Sequence, residues 1–187
     1  MTDDERPWAQ AALALGGLCW IGWCLLMLTT GQTGGLVRAL VGGSGFVLAV
    51  GLLGTVLRLP WIYKFPGGEG SGIAMVGGLV FAVGQWLTLP LEPGSVVAEG
   101  IIAVGVLGLV AGTVLLAAGM VRARRTPPWL GVALTLGTVL FLGFGDGGGL
   151  QTLLALPLGL AWLAVGGYLV RFPEQPSAHL EPSAISR

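Results

Sequence analysis

Charge is what this chain has least of. Only 10% of its 187 residues are charged, against about a quarter in an ordinary soluble domain. That is too few ionic side chains to clothe a water-soluble fold of this length. Histidine is nearly absent, and the single His179 lies near the carboxyl terminus. A Ser-His-Asp arrangement or a histidine metal site inside the apolar part is thereby excluded, and the carboxylates form no close pair by spacing. Lysine is reduced to Lys64 beside eight arginines, and the net charge is zero, so no basic surface is available to hold nucleic acid. The two cysteines, Cys19 and Cys24, are five apart on one apolar run, which turns them about 140° from each other in a helix. They cannot bridge within that helix and read as small packing residues. No cofactor or metal is expected.

What is present is apolar: 54% hydrophobic residues and a mean hydropathy of +0.86. In a bilayer core about 30 Å thick, a helix of about 20 apolar residues spans and satisfies its own backbone. Six runs meet or approach that length, at 8–28, 36–57, 72–91, 96–121, 129–144 and 150–170. The fifth is the shortest. The sequence predicts an all-α integral membrane bundle of six transmembrane helices in one domain, 1–171, followed by a polar segment at 172–187 that reads as a disordered cytoplasmic tail. The opening Met1-Thr2-Asp3-Asp4-Glu5-Arg6 is acidic where a signal peptide is basic, so the first run reads as a retained helix.

The connections alternate. Those near 29–35, 92–95 and 145–149 carry no Lys or Arg, whereas Arg6, Arg58, Lys64, Arg122, Arg124, Arg125, Arg171 and Arg187 all fall on the other side. Arg38 is the exception. By the positive-inside rule the basic side is cytoplasmic, with both termini inside. The arginine-over-lysine usage and the abundance of Gly and Ala are the habit of a GC-rich prokaryotic genome, and a multi-pass protein of the cell membrane is expected.

A weak repeat of two-helix units shows in how the even helices close: Arg58-Leu59-Pro60, then Arg122 before Pro127, then Arg171-Phe172-Pro173. Helices one and three share Gly16-Gly17-Leu18 and Gly77-Gly78-Leu79. Either the chain repeats, or Arg, Pro and Trp merely mark an inner membrane boundary. Every run also carries small residues four apart, such as Gly108 and Gly112, which lets helix backbones approach closely in lipid. The stretch Pro66-Gly67-Gly68-Glu69-Gly70-Ser71-Gly72 lacks the Walker lysine and reads as a flexible turn.

Ionisable residues inside a membrane are costly and mark candidate sites. Arg38 and Glu99 enter their helices at matching depth from the non-basic side. Either they pair across the bundle or each snorkels to the headgroups. Gln85, Trp86 and Gln151 fall at a similar level, so an outer polar pocket of Arg38, Glu99, Gln85, Trp86 and Gln151 is one expectation. Arg122, Arg124 and Arg125 are expected at anionic lipid headgroups, each contributing about 1 kcal/mol. Ser44 is expected to hydrogen-bond its own helix backbone. The inner halves of the helices look nearly featureless, which argues against alternating access. The leading reading is a non-enzymatic transport-like or accessory subunit, its partners being membrane lipids and either a partner membrane protein or further copies of itself. A membrane enzyme acting on lipid or isoprenoid substrates and a ligand-free scaffold stand beside it.

Overall fold

Apolar runs whose backbone polar groups have no water to bond must pair them internally, and here they do so as helices. The computed structural model describes residues 8–31, 34–58, 66–90, 95–124, 126–143 and 150–172. Its helices are α1 (Trp8–Thr30), α2 (Gly35–Arg58), α3 (Gly67–Leu87), α4 (Val96–Ala123), α5 (Pro128–Phe141), α6 (Leu150–Leu153) and α7 (Leu156–Arg171), with no strand among the described residues. The expected all-α bundle forms. Helices α1 to α4 are each long and apolar enough to cross a membrane, and α5 and α7 are shorter apolar helices. The tail at 173–187 and Arg125 lie outside the described residues, as does the side chain of Gln151.

Two boundaries depart from expectation for identifiable reasons. The sixth run is divided, because Pro157 has no N–H to offer the Leu153 carbonyl and its ring crowds that turn. The Ala155 N–H bonds back to Thr152 O at 3.1 Å, and α7 restarts with proline in its first turn. Helix α3 begins at Gly67 and not at 72, so the glycine-rich stretch is no flexible turn. Its glycines are helical, and a Cβ on Gly70 would overlap the backbone of Leu115 and Leu116. The missing side chains bring α3 and α4 into backbone contact.

The helices form a ring in chain order. Helix α1 packs on α2, α2 on α3, α3 on α4, α4 on α5, α5 on α7, and α7 returns to α1, while α6 touches only α1 and α7. Neighbours in the ring run antiparallel: Gly54 abuts Ala9, Gly119 abuts Gly67, and Gly166 abuts Ala14. The carboxyl ends of α2, α4 and α7 therefore gather at one end, bringing the backbones of Arg58, Arg122 and Arg171 there. Arg124 follows as the carboxyl cap of α4, in the left-handed region at φ 52°.

The ring consists of three hairpins, α1–α2, α3–α4 and α5–α7, and their first helices carry one pattern at equivalent places: Gly16-Gly17-Leu18-Cys19-Trp20, Gly77-Gly78-Leu79-Val80-Phe81 and Gly137-Thr138-Val139-Leu140-Phe141. In each, the first glycine meets a leucine on the return helix of its own hairpin. Gly16 faces Leu48, Gly77 faces Leu109, and Gly137 faces Leu158. In the first two hairpins the second position turns to the neighbouring hairpin, Gly17 toward Gly159 and Gly78 toward Gly45. The aromatic that ends the pattern points inward in all three. The repeat that the sequence shows in two units thus extends to a third, in approximate threefold order.

Candidate functional site

Helices across the ring make no backbone contact, so its centre is filled by side chains. Trp20 of α1 is fully buried and meets Phe81 of α3 with ring centroids 6.0 Å apart and Phe141 of α5 at 5.2 Å. Trp23 lies edge-on to it at 5.7 Å. A side chain that touches alternate members of a six-membered ring stands on its axis. The Trp20 indole N–H donates to the Ala155 carbonyl at 3.0 Å, an oxygen beside the break before α7. One proline thus ends a helix, and the turn it leaves offers the carbonyl that accepts the N–H of the central tryptophan. Phe141 is the last residue of α5, so α5 reaches only as far as the aromatic cluster, level with the middle of α1.

Toward the arginine end, below this plug, the ring buries polar side chains. Gln10, Thr55, Ser71 and Thr113 are all buried. Thr55 donates to Gly51 O at 2.7 Å, and Ser44 donates to Val41 O at 2.7 Å as its helical position predicts. Gln10 Oε1, Ser71 Oγ and Thr113 Oγ1 have no hydrogen-bond partner, and neither does the indole N–H of the buried Trp162; the same holds for the hydroxyls of Thr126 and Thr152 elsewhere in the fold. These residues were invisible as a group in the sequence. Gln10, Ser71 and Thr113 each stand on a different helix, and only the ring closure brings those helices around one axis.

At the opposite end Arg38, Gln85 and Trp86 come together at the α2–α3 contact, and Glu99 stands apart from them. Half-buried Arg38 of α2 donates from Nη1 to Thr88 O at 3.4 Å, at the carboxyl end of α3, where a cation offsets the helix dipole. Trp86 of α3 returns an indole N–H to Ala39 O of α2, also at 3.4 Å. The Thr88 hydroxyl closes the turn onto Gln85 O at 2.6 Å. Arg38 and Trp86 therefore clasp α2 to α3. Glu99 is exposed in the first turn of α4, a helix that does not contact α2, and no ion pair joins it to Arg38. At the arginine end, Arg122 and Arg124 are exposed. Cys19 and Cys24 are both free thiols, and no group of metal-ligating side chains occurs among the described residues. Comparison of the chain with protein-family models, with curated proteins and with solved structures finds no match.

Proposed function

We propose that this chain is a small multi-pass membrane protein of the transport-like, non-enzymatic kind, oriented with the arginine end in the cytoplasm and held here in a shut state. The observation that carries the reading is Trp20, clamped on the axis of a helix ring by Phe81, Phe141 and the Ala155 carbonyl. Polar groups left unpartnered beneath that plug each cost about 1–3 kcal/mol when buried dry, and water or a solute entering there would satisfy them. The nearly featureless inner halves read from sequence count mildly against alternating access, and the buried Gln10, Ser71 and Thr113 weigh on the other side. Arg122, Arg124 and Arg125 suit contacts to anionic headgroups at that membrane face.

The test is permeation in liposomes containing the purified protein, with glycerol, glycine and potassium chloride as probes. Trp20→Leu keeps an apolar side chain of good helix propensity but removes the indole and its hydrogen bond. Severalfold faster flux of at least one probe through Trp20→Leu than through wild type supports a plug. Flux equal to that of protein-free liposomes in both, with unchanged helical circular dichroism, overturns the transport reading in favour of an accessory subunit.

A further inference from the structure

The buried polar groups below the plug share a depth and a side. Gln10 precedes Trp20 by ten residues and Ser71 precedes Phe81 by ten, so each lies about 15 Å below the aromatic cluster at the rise of a helix. On the antiparallel α4, Gly105 abuts Phe81, and Thr113 is eight residues further on, about 12 Å below. Direction agrees as well. Gly112 and Gly119 turn to α3 while Ala117 turns to Gly131 of α5, and Thr113 falls on the arc between them that faces the axis. Ser71 lies two turns below Gly78 on the arc of α3 that borders α2 and the axis. Gln10 lies on α1 between Ala9, which meets α2, and Ala14, which meets α7.

Helical Ser and Thr ordinarily bond the carbonyl three or four residues back, as Ser44, Thr55, Thr135 and Thr138 do here. Ser71 and Thr113 do not, although they are 1% and 0% exposed, and Gln10 at 7% leaves its side-chain oxygen equally bare. Three neutral hydrogen-bonding groups on three helices, buried and uncommitted, are the arrangement that internal water or a small polar solute satisfies.

We infer that the ring encloses a hydrated site between the Trp20 plug and the arginine end, formed by Gln10, Ser71 and Thr113, that takes a small uncharged solute able to donate and accept hydrogen bonds. Among the described residues no ionisable side chain contributes to it, so an ion entering there would lose its hydration without a counter-charge from them. The inference rests on the transport reading for its solute class, but the hydration of the site stands or falls separately.

The experiment is thiol labelling of the full chain in membranes. In a background of Cys19→Ala and Cys24→Ala, Ser71→Cys and Thr113→Cys are compared with Ala82→Cys, which lies in the tight α2–α3 contact, using a small water-borne methanethiosulfonate. Both site cysteines are expected to react more than about tenfold faster than the control, since a dry, close-packed thiol reacts only after local opening. Rates as slow as those of Ala82→Cys overturn the site even where Trp20→Leu conducts, because the path then runs elsewhere. Fast labelling without flux keeps the hydrated site and removes its role in transport. Within a conducting variant, glycerol flux that falls on Thr113→Val while potassium flux stays at background supports the solute class, and potassium flux matching that of glycerol overturns it.

Discussion

Arg38 and Glu99 illustrate how an expensive residue in an apolar chain can be structural. Matching depth made a pair conceivable, but depth along two helices says nothing of azimuth, and the ring puts α3 between α2 and α4. Arg38 donates to the Thr88 carbonyl at the carboxyl cap of α3, where a cation is worth about 0.3–1 kcal/mol to the helix dipole. Glu99 sits in the first turn of α4, where a carboxylate is favoured for the same reason. Each charge serves a different helix end. Reversing either one therefore destabilises the protein on its own account, and the Arg38→Glu, Glu99→Arg double variant should show the sum of the two losses to within about 0.5 kcal/mol. Unfolding in mixed micelles, titrated with dodecyl sulfate and followed by circular dichroism, measures this. A double variant more stable than either single one would restore the ion pair.

Between helices, what decides stability is how near two backbones come. With lipid as solvent no hydrophobic force draws apolar helices together, so contact area and close approach take over. A Cβ on Gly112 would overlap the backbone of Ala74, and Gly112→Val should cost about 1–3 kcal/mol through forced separation of α3 from α4. Gly22→Val on α1 is the matched control. Nothing lies within 4 Å of its Cβ position, and valine is the better helix former, so stability should hold or rise slightly. Equal gains in the two, read by the same titration, would mean that helix propensity outweighs packing at these glycines.

This is also the scale at which the sequence is most and least readable. The six apolar runs, the Ser44 backbone bond and the recurring Gly-Gly-Leu are written locally and could be read there. The start of α3 was missed because Pro66-Gly67-Gly68 has turn composition, while the reason for those glycines is α4, more than forty residues away in the chain. The break before Pro157 was legible in principle, since proline announces it. Gln10, Ser71 and Thr113 were not, because no local pattern joins one polar residue on each of three helices.

For the whole molecule, the ring geometry turns a rule about loops into a statement about one end. The antiparallel contacts carry α2, α4 and α7 to the same face, so the charge bias of Arg58, Arg122 and Arg171 acts together and not loop by loop. Orientation follows such Lys and Arg bias near helix ends. The helices are also of uneven length. At 1.5 Å per residue α4, with 28 residues, extends about 42 Å, whereas α5, with 14, extends about 21 Å, short of a hydrocarbon core of about 30 Å. Helix α5 starts at the arginine end and stops level with Trp20. Two consequences are measurable in one set of fusions. A reporter active only in the cytoplasm should work when attached after Arg187 and fail when inserted at Gly94, between α3 and α4. The opposite pattern would put the arginine end outside, and with it the polar groups beneath Trp20. The hydrated site would then open away from the cytoplasm, and the shut state described here would be sealed on its inner side.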